Sequence, residues 1–225
     1  MTLKELANSI ELSILKPNVR EEELRSVVER ARNLPFAGIC VPPFYTEVAK
    51  NLLEETRIHV ITVIGFPLGY QKPQVKIREA EEALRDGTDE VDMVLNISAL
   101  KSGRLETIEE EITSIVALNP HLTVKVIIEC CYLSREEKLL SLRLIEECGA
   151  HFVKTSTGFA PSGATIEDVR LLKENAGHLK VKAAGGIKGL DDALRFIEAG
   201  ADRIGTSSGL EILGQFEERY GDKGI

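Results

Sequence analysis

Short apolar runs alternate with amphipathic, charged segments along the whole chain, and no Pro/Gly/Ser-rich linker or low-complexity stretch separates them. That rhythm predicts repeated βα units. The clearest strands are GICV (38–41), HVITVIGF (59–66), EVDMVLN (90–96), TVKVIIE (123–129), FVKTST (152–157), KVKAAG (180–185) and DRIGT (202–206). Helical patterns such as PQVKIREAEEALRDG and REEKLLSLRLIEECG lie between them, with Pro73 near one start and Gly87, Gly149 and Gly200 just past helix ends. The junctions GTDEVDM, GAHFVKT and GADRIGT repeat one αβ loop design. A first strand at IELSIL (10–15) brings the number of units to eight, the number a (β/α)8 barrel needs. The expectation is an α/β chain folded as a single-domain (β/α)8 barrel over residues 1–225. A doubly wound open sheet is the competing architecture, but the first strand lacks a GxGxxG turn and the alternation persists to the C-terminus.

Side chains alternate between the two faces of a strand, so each strand can be sorted into two sets. Val91, Met93 and Leu95 oppose Glu90, Asp92 and Asn96; Val124, Val126 and Ile128 oppose Lys125 and Glu129. Val153 opposes Lys154 and Ser156, and Val181 with Ala183 opposes Lys182. With the apolar set against the outer helices, Asp92, Lys125, Lys154 and Lys182 point into one region of the barrel. Solvated strand faces would give the same alternation, but a helix after every strand covers a parallel sheet on both sides. A purely structural ion-pair network is a further alternative, which the excess of lysine over carboxylate disfavours.

Lys154 and Lys182 lie one βα unit apart, which makes them neighbours on adjacent strands. Two ammonium groups about 6 Å apart at an effective dielectric near 20 repel by roughly 3 kcal/mol, on the order of two pKa units. One amine is thereby pushed toward neutrality, and a neutral, desolvated lysine attacks carbonyls to form a Schiff base. Asp92 is the acid/base candidate beside it. Residue patterns alone leave open which lysine is the nucleophile.

Three consecutive βα loops, STGF, AAGGIKG and GTSSG, are small and glycine-bearing. Backbone N–H groups approach an anion closely where side chains are absent, and barrels of this kind commonly hold phosphate at the ends of their last strands.

Composition narrows the partners. The 225 residues are 43% hydrophobic and 28% charged, with a formal net charge of -8, which argues against a nucleic-acid surface. No apolar run is long enough to span a bilayer and no signal-peptide pattern is present, so a cytoplasmic protein is expected. Cys40, Cys130, Cys131 and Cys148 read as free buried thiols. His59, His121, His151 and His178 have no ligand spacing and read as surface or helix-end residues, so neither a metal nor another cofactor is expected.

The segments ILKP, AGICVPP, VIGFPLG, DEVDMVLNI, VKVIIE, FVKTSTGF, VKAAGGIK and GTSSG together resemble the deoxyribose-phosphate aldolase family over nearly the whole chain. The resemblance implies a (β/α)8 barrel and metal-free class I cleavage of 2-deoxy-D-ribose 5-phosphate to D-glyceraldehyde 3-phosphate and acetaldehyde. It implies Lys154 as the Schiff-base lysine, Lys182 as the group depressing its pKa, and Asp92 in the proton relay. It also implies a phosphate grip by Gly158, Gly185, Gly186, Gly205, Ser207 and Ser208. Many members carry Asp-His-Thr where this chain has Glu11, Leu12 and Ser13, so the resemblance assigns the first strand no polar role. Some have lysine where Phe159 stands, which limits phosphate contact there to the backbone, and Tyr220 receives no role. A closed homodimer or homotetramer is the default assembly. A transaldolase-like activity and a non-catalytic phosphosugar-binding barrel are the competing functions.

Overall fold

A computed structural model, describing residues 1–221 and 224, closes eight parallel strands into a barrel in strict chain order. The strands are β1 (Ile10–Ser13), β2 (Gly38–Val41), β3 (His59–Ile64), β4 (Glu90–Val94), β5 (Thr123–Ile127), β6 (Phe152–Lys154), β7 (Lys180–Ala184) and β8 (Arg203–Thr206). Around them run α1 (Leu3–Ser9), α2 (Glu21–Ala31), α3 (Thr46–Leu53), α4 (Pro73–Arg85), α5 (Ile97–Lys101) and α6 (Leu105–Val116). The ring is completed by α7 (Arg135–Glu147), α8 (Ile166–Asn175), α9 (Leu190–Glu198) and α10 (Gly209–Tyr220). Asp222, Lys223 and Ile225 of the C-terminal GDKGI lie outside the described residues.

The eight expected strands are all present; β2 has the expected bounds, and each of the others ends earlier than its alternating pattern suggests or starts later. At the C-terminal ends the backbone turns to positive φ, at Gly65 (62°), Glu129 (49°) and Gly185 (91°). Those residues open the βα loops. Local signals set the helices: Pro73 occupies the first turn of α4, and Ser134 Oγ accepts the Glu137 N–H in a capping box at the start of α7.

The repeated αβ junction has a structural reason. After α4 and α9 an aspartate reaches back to the previous strand: Asp89 accepts the Val60 N–H and Asp202 the Val181 N–H, each at 2.8 Å. Each carboxylate also takes a lysine from a neighbouring helix, Lys50 and Lys173 respectively. In the third copy His151 fills the slot, its Nδ1 accepting the Val124 N–H at 3.1 Å. His151 is therefore a strand-start residue, bonded to the sheet.

Outward-facing Val91, Met93, Val124, Val126, Val153 and Val181 are buried against the helices, as sorted. The barrel interior is divided: Cys40, Ile61 and Val63 form an apolar cluster beside β2 and β3, while ionisable side chains fill the space beside β4 to β8 and β1. Behind β4 the wall holds a buried Lys76–Glu111 pair at 2.7 Å, with Lys76 Nζ also donating to the Val94 carbonyl. Among the thiols, Cys40 and Cys130 are buried, Cys148 is half-buried and Cys131 is exposed, because the short 3-10 turn Cys130–Tyr132 faces it outward.

Candidate active site

Lys154 and Lys182 are directly opposite one another in the β6–β7 register, as Asp92 and Lys125 are in β4–β5. All four side chains turn into the barrel. Lys154 Nζ donates to Asp92 Oδ2 at 2.7 Å and Lys182 Nζ to the same oxygen at 2.6 Å, while Lys125 Nζ donates to Oδ1 at 2.9 Å. One carboxylate thus accepts from three lysine Nζ groups. Burial alone would raise Asp92, but Lys125, Lys154 and Lys182 outweigh it and hold the carboxyl well below the usual range.

The expected lysine excess is smaller than a count of Asp92 against three lysines suggests, because two more carboxylates lie inside. Glu11, on the strand to which no polar role was assigned, is fully buried and paired with Lys182. Its other oxygen accepts from Arg203 Nη1 at 3.0 Å and lies 3.7 Å from Lys125 Nζ. Glu90 Oε2 lies 2.5 Å from Lys125 Nζ, and Glu90 Oε1 takes His59 Nδ1 at 2.6 Å. His59 therefore closes the ionic column at the floor of the barrel. Burial opposes Glu90, yet His59, Lys125 and Arg203 bring its carboxyl down to about 2. Asn96, sorted with the inward charges, instead caps α5, its Oδ1 accepting the Ala99 N–H.

The two neighbouring lysines are not equivalent. Burial is the largest influence on Lys154 and pulls it below the usual lysine range; Lys182 pulls in the same direction and Asp92 resists. Cation repulsion, expected to dominate, is therefore secondary to desolvation. Lys182 feels the same burial, but Asp92 and Glu11 overcome it and raise that amine. Lys154 is also the one of the pair that lines a pocket of about 540 Å³ at the C-terminal mouth of the barrel. Burial, charge partners and pocket position thus differ between two lysines that strand sorting left equivalent.

Gly158, Gly185, Gly186, Gly205 and Ser207 line this pocket with Lys154. Ser208 is not among its lining residues, and its N–H is taken internally by Thr206 Oγ1 at 3.0 Å. The STGF loop is fixed from the preceding unit: Glu129 accepts the Thr157 N–H on both oxygens at 3.2 Å and also the Thr157 hydroxyl. Gly185 must be small, since it lies against the Gly163 backbone and the Ala164 N–H bonds its carbonyl at 3.1 Å. Two lysines not singled out in the sequence, Lys16 and Lys188, add positive charge to the pocket lining. Lys188 was visible within AAGGIKG; Lys16 follows the first strand in ILKP. Phe159 lines the same pocket and stacks edge-on against Phe66, with ring centroids 5.3 Å apart. Among the described residues no cluster of His, Cys, Asp and Glu could hold a metal ion, and no helix is long and apolar enough to cross a membrane.

Similarity to known proteins agrees with this geometry. The chain is 46% identical to a deoxyribose-phosphate aldolase of Caldanaerobacter subterraneus subsp. tengcongensis, covering 97% of this chain and 96% of the relative. It is 47% identical to one from Dictyoglomus turgidum, over 95% and 98% of the two chains. Its fold matches the solved structure of the aldolase QR15 with a TM-score of 0.92 at 44% identity, covering 96% and 97%. It also matches the deoxyribose phosphate aldolase of Aeropyrum pernix, described as a tetramer, with a TM-score of 0.90 at 34% identity, covering 96% and 92%. Residues 13–215 fit the model of the DeoC/LacD family aldolases. With an eight-stranded barrel, a buried lysine pair on β6 and β7 and these relatives over nearly its full length, the chain belongs to the DeoC/LacD family of aldolases.

Proposed function

We propose that this aldolase reversibly cleaves 2-deoxy-D-ribose 5-phosphate to D-glyceraldehyde 3-phosphate and acetaldehyde through a Schiff base on Lys154. The observation that carries this reading is a pocket-lining amine held below the usual lysine range while its in-register neighbour is held charged on the same carboxylate oxygen. The neutral Lys154 amine attacks the C1 aldehyde of the open-chain sugar, and loss of water leaves a protonated imine. That imine accepts the electron pair of the C2–C3 bond as the C3 hydroxyl gives up its proton, releasing glyceraldehyde phosphate and leaving an enamine. Protonation at C2 and hydrolysis of the imine then free acetaldehyde. Asp92 and Lys182, joined at 2.6 Å, are the pair through which these protons pass. The glycine loops carrying Gly158, Gly185, Gly186, Gly205 and Ser207 offer backbone N–H groups to the phosphate, with Lys16 and Lys188 supplying charge. Ser208 contributes by holding the turn that opens α10.

Borohydride in the presence of acetaldehyde tests the reading. An ethyl adduct on the peptide containing VKTSTGF is expected, together with acetaldehyde release from deoxyribose 5-phosphate. Failure to release acetaldehyde despite trapping would indicate a transaldolase-like activity, and no adduct at all would leave a phosphosugar-binding barrel. A second measurement addresses Lys182. In Lys182→Leu the cation beside Lys154 is gone, so the Lys154 amine titrates higher and the acidic limb of the trapping rate moves to higher pH. Because burial is the larger influence, the movement is partial; an unmoved limb would remove Lys182 from the explanation.

The same reading places the enzyme in the cytoplasm as a closed homodimer or homotetramer, in keeping with the assembly described for the Aeropyrum pernix relative. Light scattering in solution gives the number of subunits.

A further inference from the structure

Two lysines paired side by side on one aspartate oxygen would be near equivalents, and something must decide which keeps its proton. Among the described residues, the charged and titratable groups around Lys182 come from six strands. Asp92 comes from β4, Lys125 from β5, Lys154 from β6, Arg203 from β8, Cys40 from β2 and Glu11 from β1. Of the carboxylates among these, Glu11 distinguishes the two lysines: it contacts Lys182 and makes no ion pair with Lys154. It is fully buried, and Arg203 at 3.0 Å fixes its second oxygen, so its carboxylate cannot swing away toward solvent.

We infer that Glu11 is a positioning residue that keeps the proton on Lys182 and thereby leaves Lys154 as the free amine. Charge counting supports this. Glu11, Glu90 and Asp92 supply three negative charges inside the barrel, against Lys125, Lys154, Lys182 and Arg203. With His59 also held on Glu90, the cations outnumber the carboxylates, so loss of a proton is favoured, and Lys154, with Asp92 as its one carboxylate partner, is the cheapest to discharge. Removing Glu11 would widen the positive excess, and the loss would fall on Lys182, which has the closest contact. This inference rests on the Schiff-base reading of Lys154.

The test is the pH dependence of acetaldehyde and borohydride trapping at Lys154, together with turnover, in the full-length wild type, Glu11→Gln, Glu11→Asp and Arg203→Gln proteins. Trapping in the wild type reports on the Schiff-base reading; the limbs of the variants report on Glu11. The wild type is expected to show no basic limb of turnover up to about pH 10, since Lys182 stays charged. In Glu11→Gln the basic limb of turnover should move to lower pH than in the wild type, while the acidic limb moves much less. Glu11→Asp, which keeps the charge, should hold the basic limb above that of Glu11→Gln. Arg203→Gln, which removes the cation sharing Glu11, should not lower it. A Glu11→Gln protein whose rate falls evenly at all pH values, or whose two limbs move together, would overturn the inference. Should that variant fail to fold, a basic limb lowered in Arg203→Gln would do the same.

Discussion

Lys154→Met is expected to abolish borohydride trapping with acetaldehyde and to lower aldol cleavage by on the order of 10⁵-fold or more, because no other amine among the described pocket-lining residues shares its buried position. Methionine keeps the volume of the lysine stem, so the fold should survive. Asp92 retains Lys125 and Lys182, and no buried charge is left without a partner. The effect on stability has a definite sign. A lysine whose folded pKa is depressed binds fewer protons folded than unfolded between the two values, so stability rises with pH across that window. Below it, the wild type carries the cost of an amine that must lose its proton or be charged while buried. Lys154→Met removes that cost and should be at least as stable as the wild type at neutral pH in urea unfolding. An inactive but clearly destabilised variant would mean that Lys154 is held charged as part of a structural ion network, and the nucleophile assignment would fall.

That outcome bears on how far the sequence could be read. The barrel was legible because each βα unit carries its own punctuation, a run of alternating apolar residues, an amphipathic segment and a glycine after the helix, and the closed eight-stranded order follows from simple repetition. The meeting of Lys154 and Lys182 was legible for the same reason, since one repeat separates them and parallel strands in register bring equivalent positions together. Glu11 followed the same code, a polar residue between Ile10 and Leu12, but the departure of that strand from the family pattern left its inward charge without a role. Counting the lysines against Asp92 alone then overstated the positive excess. Glu90 had been sorted to the inner face, yet its pairing with Lys125 and His59 depends on how deep each side chain sits along the barrel axis, which alternation does not report. Loop geometry was the least legible part: Glu129 in the left-handed region and its grip on Thr157 leave no periodic signal. Nor does spacing reveal that the Ser208 N–H is already taken by Thr206.

Asp92→Asn should separate amine formation from turnover. Asparagine keeps the shape of the aspartate but leaves Lys154 with no carboxylate partner, while Lys125 retains Glu11 and Glu90, and Lys182 retains Glu11. Loss of one charge from a buried ionic cluster costs about 3–5 kcal/mol. In the wild type, burial opposes the Asp92 carboxylate but the three lysines prevail, so its folded pKa lies well below the ordinary value. The stability it contributes is fully present above about pH 4 and is lost as pH falls through the folded value. The gap between the two proteins in denaturant unfolding should therefore persist from neutral pH down to about 4 and narrow only below it. Catalytically, Lys154 loses the strongest charge that favours its protonated form, so its amine stays neutral to lower pH and acetaldehyde trapping should continue. Cleavage of deoxyribose 5-phosphate should nevertheless drop by about 10²–10⁴-fold, the usual worth of a positioned acid/base group. Trapping that disappears together with turnover would show that Asp92 is needed to place the amine, and the proton-relay role would have to pass to another group.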